Sequence, residues 1–487
     1  MLIRLGLSDM KVVLRDTGEL LKWSAITFFV PLITGIWFKE NLYFILIYFL
    51  VGLSCFFLGT AMKRLFSCEE STDLKHAFMI VALIWLIYTA ISAMPFSIIM
   101  GIHFIDAFFE SMSALTTTGI TMIPLLIDSA PKSLIIWRSL ISWIGGVGII
   151  VLSLMGIFTT YTKSAKLMVA EGREETIKPN LKNTAKEIWV VYVILTIIGM
   201  FLLFFAGMDG FSALNYSMSA ISTTGMDIAS TGLIGLDNAW VLLSLVAIMI
   251  IGATPFTVHY LFIRKKQFNA YIMDNEFKVL VSILILSIVL ILPKLLIFYP
   301  DATFALGTAI FQNASALTCG GFANVPISDI VNWGDFVLLI LMGLMVIGGS
   351  SGSTAGGIKV SRLIIFIKSI YWRIKELILP KNSFFQKKFE GKKIDDSKIR
   401  QVNQFILLYL LLIIMGVFVL TLQGMSLTSA LFNIISAQGN VGLQLGEIVP
   451  TMPFASKIML ILSMWIGRLE IIPVLSAIGF ALSFRKS

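Results

Sequence analysis

The sequence is poor in the residues from which most water-soluble sites are built. Only 13% of its 487 residues are charged, about half the share of a soluble chain, which excludes a string of water-facing domains. Three cysteines, Cys55, Cys68 and Cys319, are too few for a disulfide framework. Three histidines, His76, His103 and His259, stand far apart with no second ligand at metal-site spacing. No dinucleotide fingerprint and no nucleophile–base set occurs, so neither an enzyme nor a bound cofactor is expected. The net charge of +9 comes without the interleaved aromatics that stack bases, so nucleic acid is not an expected partner.

What the chain has instead is apolar length: 57% of its residues are hydrophobic. Runs near 23–38, 41–60, 77–95, 133–158, 187–206, 239–262, 277–299, 336–358, 404–422 and 456–482 read as bilayer spans. The first 22 residues hold Arg4, Lys11, Arg15 and Lys22, which interrupt any apolar core of a signal peptide. Ten spans with both termini on one side put 61–76, 159–186, 263–276 and 359–403 together with the termini. Those stretches hold nearly all the lysine and arginine, including Arg264, Lys265 and Lys266, which makes that side cytoplasmic and the protein a multi-pass plasma-membrane protein. Outside remain Lys39, Lys132, Lys294 and Lys457 against eleven acids, Asp106, Glu110 and Asp227 among them. This is either a cation-attracting face or the plain residue of topology bias.

After the first two spans, a unit of span, short semi-polar segment and span recurs four times, a form of symmetry that marks transport folds. The short segments end on one heptad. They read Ser113-Ala114-Leu115-Thr116-Thr117-Thr118-Gly119, Ser219-Ala220-Ile221-Ser222-Thr223-Thr224-Gly225, Ser315-Ala316-Leu317-Thr318-Cys319-Gly320-Gly321 and Ser436-Ala437-Gln438-Gly439-Asn440-Val441-Gly442. The stretches before them, 104–113, 211–219, 304–315 and 427–436, are too short to cross a bilayer. Each is expected to descend as a helix and return as irregular backbone, which is tolerated only against protein or water. Glycine supplies the positive φ that turns successive carbonyls toward one axis. Four such loops make rings of carbonyls able to replace the hydration shell of K⁺. Threonine hydroxyls at 116–118 and 223–224 are expected to extend that ladder. A bare ion in a low-dielectric medium costs on the order of tens of kcal/mol, so its water must be replaced almost completely. The alternative, small-residue helix packing, accounts for one heptad and not for four in register.

Three further segments stand out. Trp137-Arg138-Ser139 and Ser142-Trp143-Ile144-Gly145-Gly146-Val147-Gly148-Ile149 open the span after the first loop, where the glycines suit close packing and Arg138 can snorkel or pair with Glu110. The run Gly348-Gly349-Ser350-Ser351-Gly352-Ser353-Thr354-Ala355-Gly356-Gly357 interrupts the span after the third loop. Five glycines at about 1 kcal/mol each break a helix there, and Gly357-Ile358-Lys359 lacks the Gly-Lys-Ser/Thr of a phosphate loop. Last, Gly467-Arg468-Leu469-Glu470 places two charges inside the final span. Residues two apart do not share a helix face, so each needs a partner from elsewhere.

Together these segments resemble the Trk/Ktr/HKT superfamily of K⁺ transport proteins, from about residue 20 to the C-terminus. The two extra leading spans are most similar to the TrkH/TrkG branch. The resemblance implies an all-α polytopic membrane protein with four span–pore loop–span repeats around one pore, plus two extra N-terminal spans. The expected units are 1–70, the extension, and repeats at 71–175, 176–270, 271–400 and 401–487. It implies K⁺ uptake, with K⁺ as transported ion and a filter ending at Gly119, Gly225, Gly321 and Gly442. Glycine rather than serine at 119 implies K⁺ preference, while Cys319 and Asn440-Val441 depart from the Thr-Thr-Gly pattern and imply a less symmetric filter. It further implies that residues 348–357 (Gly348, Gly349, Ser350, Gly352, Ser353, Thr354, Gly356 and Gly357) form an intramembrane gate. Arg468 would then bond that loop's carbonyls and add a positive barrier. The implied partners, besides the lipid bilayer, are a second copy in a homodimer and a cytoplasmic nucleotide-binding regulatory subunit of TrkA type, with 363–379 as a contact surface. A Na⁺- or H⁺-coupled secondary cation transporter and the K⁺-conducting subunit of a P-type ATPase stay open as alternatives.

Overall fold

In the computed structural model, the described residues are 7–148, 181–234, 236, 238–380, 385–389, 392–446 and 448–484. Ile149, the end of the expected span 133–158, most of the loop 159–186, Asp237 and Glu447 lie outside them. Within them the chain is an all-α membrane protein whose one β-ladder is a two-residue hairpin, Lys388–Phe389 with Lys392–Lys393. The extension consists of α1 (Leu7–Ser24), a 3₁₀ turn at Ala25–Phe28, α2 (Phe29–Trp37) and α3 (Leu42–Leu65). The first span thus begins well before the expected residue 23. Gly18 of α1 and Gly59 of α3 let these helices cross backbone to backbone, because a Cβ on Gly18 would lie 2.7 Å from the Gly59 carbonyl oxygen.

Each of the four units that follow opens with a long apolar helix: α4 (Leu74–Met100), α7 (Leu181–Phe205), α11 (Asn275–Phe298) and α15 (Asp396–Leu422). These expose residues such as Leu286, Val289 and Phe418, which costs nothing where the neighbour is lipid. A short helix follows in each: α5 (Phe104–Leu115), α8 (Gly210–Ile221), α12 (Ala302–Leu317) and α16 (Leu427–Gly439). Asp209, Asp301 and Ser426 cap the last three through their side chains. These four are buried almost throughout after their first turn.

The second helix of each unit departs from expectation. Ten spans were expected, one of them interrupted, yet six described helices are long and apolar enough to cross a membrane, or seven if one bent pair is counted. The remaining four, α6 (Lys132–Val147), α9 (Ala239–Gly252), α13 (Asp335–Ile347) and α17 (Phe454–Leu469), hold 13 to 16 residues. At 1.5 Å per residue each covers roughly 20–24 Å, short of the hydrocarbon core. Each ends at a break. α6 stops at Gly148 (φ 91°), α13 at Gly348 (φ 70°) and α17 at Glu470 (φ 64°). α9 bends by 101° through Ala253–Pro255 into α10 (Phe256–Lys265), where proline withholds an amide donor. Only the third interruption was expected. After it, α14 (Val360–Ile378) leads on, and α18 (Ile471–Phe484) follows the fourth.

Candidate functional site

The four heptads meet. A Cβ built on Gly119 would fall inside 3 Å of the Thr224 carbonyl oxygen, on Gly225 inside 3 Å of that of Gly320, on Gly321 of that of Val441, and on Gly442 at 2.5 Å from that of Thr118. Each glycine abuts the carbonyl of the next loop, and the fourth returns to the first, so the ring is closed. All four have positive φ, from 69° to 110°. Two residues earlier stand Thr117, Thr223, Cys319 and Asn440, each left-handed at φ 51–58°. That conformation is strained for the β-branched Thr117 and Thr223, and such strain clusters at functional sites. Sequence reasoning counted these four residues in the loops but did not foresee their left-handed backbone, since only glycine announces a positive φ. The same Ser-Ala start has a cause as well. The serine carbonyl accepts the amide of the residue before the glycine in all four loops: Thr118 to Ser113 at 2.8 Å, Thr224 to Ser219 at 3.0 Å, Gly320 to Ser315 at 2.8 Å and Val441 to Ser436 at 2.9 Å.

The expected ladder of threonine hydroxyls is corrected in part. Thr116 and Thr118 bond each other at 2.8 Å, as do Ser222 and Thr224 at 2.7 Å. Thr223 donates to the Ser222 carbonyl at 2.7 Å, and Thr318 to Ala314 at 2.6 Å. These hydroxyls brace the loops; Thr117 alone among the threonines at 116–118 and 223–224 has a buried hydroxyl without a protein partner. Asn440 takes a bracing role too, its amide donating to Thr118 Oγ1 at 3.0 Å and to the Met464 carbonyl at 2.9 Å.

A second fourfold feature lies in the broken helices. Gly145, Gly252, Gly348 and Gly467 each follow an isoleucine, 25 to 27 residues after the loop glycine. A Cβ on Gly145, Gly252 or Gly467 would collide with the carbonyl of Leu115, Ile221 or Gln438, the same register position of the short helix in each unit. At Gly252 and Gly467 it would also lie 2.9 Å from Thr223 Cγ2 and from Asn440 Oδ1. The glycine makes room for the left-handed residue's side chain. The repeated Ile-Gly is a signal the sequence carried.

The glycine-rich segment lies against the second and fourth units beside this ring. Ser350 and Thr354 donate their amides to the carbonyls of Ala253 and Gly252, at 3.0 and 3.1 Å. The unwound backbone of the third unit therefore satisfies the unwound backbone of the second. The Thr354 hydroxyl reaches the carbonyls of Ile221 (2.9 Å) and Gly252 (2.8 Å), and a Cβ on Gly356 would collide with the Gly439 carbonyl. Two charges hold the loop from outside. Glu276 accepts the Ser351 amide at 2.7 Å. Arg468 donates to the Thr354 carbonyl at 2.6 Å and to those of Gly145 and Gly146 at 2.5 and 2.8 Å. Glu470 turns elsewhere, to Arg362 at 2.7 Å, and the Arg362 guanidinium lies 4.2 Å from the Phe405 ring centre. Sequence reasoning did not find Glu276, which sits at an ordinary helix start.

The acids expected on the outer side are not all free to attract cations. Glu110 is fully buried against Arg138 at 2.6 Å, and Asp106 is buried against Lys457. Among the described residues no cluster of three metal-ligating side chains occurs.

A helical membrane protein with four carbonyl-bearing hairpins closed into one ring, and a glycine loop lodged against them, has the form of a cation-conducting transport protein. The family model for the TrkH cation transport proteins matches residues 48–482, and the chain belongs to that family. It is a transport protein, not an enzyme. It is 32% identical over 474 residues to an uncharacterized cation transporter of Methanocaldococcus jannaschii, covering 97% of this chain and 96% of the relative. It is 30% identical over 421 residues to the Trk system potassium uptake protein TrkH of Escherichia coli K12, covering 84% and 86%. The crystal structure of the potassium transporter TrkH from Vibrio parahaemolyticus superposes with a TM-score of 0.82 at 28% identity, covering 96% and 98%.

Proposed function

We propose that this chain is the ion-conducting subunit of a Trk-type K⁺ uptake system in the plasma membrane. K⁺ is selected by the carbonyls of residues 116–119, 222–225, 318–321 and 439–442. The closed ring of Gly119, Gly225, Gly321 and Gly442 carries this reading. Four helices, α5, α8, α12 and α16, end at it, and their C-terminal partial negative charge favours a cation there. The loop 348–357 is the gate, and Arg468 both anchors it and sets a positive charge in the ion's path. Ion movement then requires the loop to leave Gly252, Ala253 and Ile221, so flux is governed by an equilibrium between lodged and released loop.

Regulation falls to a separate cytoplasmic nucleotide-binding subunit, with both termini of this chain on the same side. The surface we assign to a second copy or that regulator is α14, whose Ile367, Ile370, Tyr371, Ile374 and Leu377 are exposed in one stripe. Its other side is covered by Phe385 and Phe389 under Lys375 and Lys368.

The test is rubidium flux into proteoliposomes containing the purified chain with and without its regulator, in competition with K⁺ and Na⁺. K⁺ competing far better than Na⁺, with no need for an imposed Na⁺ or proton gradient or for ATP, is the expected result. Strict dependence on either gradient would turn the assignment to a coupled transporter.

A further inference from the structure

The residue three places before each heptad serine differs in every loop: Glu110, Tyr216, Gln312 and Asn433. All four are buried, and all four grip the chain two or three residues beyond the filter glycine. Glu110 accepts the Met122 amide at 3.1 Å and the Thr121 hydroxyl at 3.1 Å. Tyr216 donates to Asp227 Oδ1 at 3.3 Å. Gln312 donates to Asn324 Oδ1 at 3.0 Å. Asn433 takes both backbone groups of Leu445, at 2.8 and 2.7 Å. One geometric task is done by four chemistries.

Of the four gripping side chains, only Glu110 carries charge. Arg138 donates Nε to Glu110 at 2.6 Å and reaches across with Nη1 to the Asp227 carbonyl. Asp227 is therefore held by its carbonyl from the first unit and by its carboxylate from its own. Loops one and two are joined through a buried ion pair, whereas loops three and four are each held by neutral amides. Charge-assisted hydrogen bonds are shorter and stiffer than neutral ones, and a buried pair is little screened. A carbonyl ring distinguishes K⁺ from smaller Na⁺ only while its oxygens resist closing in or spreading.

We propose that Arg138 and Glu110 are positioning residues for selectivity: a strut that fixes the outer end of loops one and two against each other and so holds the filter's width. This rests on the assignment of the ring as the K⁺ filter. Measure rubidium uptake by reconstituted protein with K⁺ or Na⁺ as competitor, alongside thermal unfolding in detergent. Glu110→Gln keeps an acceptor for the Met122 amide and removes the charge. Arg138→Lys keeps the charge, but an ammonium cannot span both acceptors as the guanidinium fork does. Each is expected to lower K⁺-over-Na⁺ preference by about tenfold, the factor that one lost charge-assisted hydrogen bond commands. Lys457→Met is the control. It breaks another buried ion pair, to Asp106, which among the described residues has no hydrogen bond to a residue two or three places past a filter glycine, and should lower stability with the preference intact.

A folded Glu110→Gln protein with wild-type preference overturns the strut. So does a Lys457→Met protein whose preference falls as far as that of Glu110→Gln. If neither strut variant folds, Tyr216→Phe removes one hydroxyl from Asp227 at almost constant volume and is expected to shift the preference in the same direction; no shift there overturns the proposal. A wild-type protein without any preference refutes the filter assignment itself and not the strut alone.

Discussion

Gly119 and Thr224 are packed so closely that no side chain fits between them: a Cβ on the glycine would overlap the threonine's carbonyl oxygen. Gly119 also sits at φ 87°, where an L-residue pays about 1–2 kcal/mol. Gly119→Ser must therefore push loop two outward, and the oxygen ring opens on that side. The expected outcome is a folded protein in which Na⁺ competes for rubidium uptake at least tenfold better than in wild type, an energy of about 1.4 kcal/mol. Unaltered competition would remove Gly119 from the selecting surface.

Arg468 joins the loop 348–357 to the first unit by three carbonyls, on Thr354, Gly145 and Gly146. A hydrogen bond to a charged group is worth about 1.5–3 kcal/mol. Losing the one to Thr354 shifts the lodged–released equilibrium by roughly tenfold to a hundredfold. Arg468→Ala should thus raise rubidium efflux in the absence of any regulator. Two effects act in the same direction there, the freed loop and the missing positive charge. Arg468→Lys separates them, because it retains the charge but not the three-point contact. It is expected to give an intermediate rate.

The heptads, the short helices and the glycine-rich interruption were legible because their signals are local: residue type, segment length, glycine density. What was not legible depends on partners. Nothing in the run Trp143-Ile144-Gly145 says that the helix stops at Gly148, because hydropathy averages over a break. Asn440 read as a departure from pattern, and it is one chemically, yet its backbone occupies the same left-handed well as Thr117, Thr223 and Cys319. Asp106 counted as surface charge until Lys457 was found beside it, and the pairing of Glu110 with Arg138 was one of two options the sequence left open. Charge in a sequence has a sign but no address.

Glu276 binds the loop 348–357 at the Ser351 amide, away from Arg468. Glutamine at this place offers the same acceptor without charge, while alanine offers none. Glu276→Ala should raise unregulated flux by about the factor expected for one charge-assisted bond, tenfold or more, and Glu276→Gln by less. Efflux from rubidium-loaded liposomes reads both. Equal wild-type rates for the two would mean that the loop is held from the Arg468 side alone.

The Ile-Gly glycines give a prediction about assembly rather than transport. Gly467 faces the Gln438 carbonyl and Gly145 the Leu115 carbonyl, each inside the distance a Cβ allows. Neither has a positive φ, so alanine at these positions is opposed by space alone. The helix must retreat from the short helix it supports, at the 1–3 kcal/mol or so typical of overpacking. Gly343, by contrast, lies on the same kind of broken helix with nothing within 4 Å of an added Cβ. Gly343→Ala should leave the thermal midpoint in detergent unchanged or slightly raised, since alanine favours the helix by about 1 kcal/mol, whereas Gly145→Ala and Gly467→Ala should lower it by several degrees. Equal midpoints for all three would show that the broken helices do not bear on the short ones.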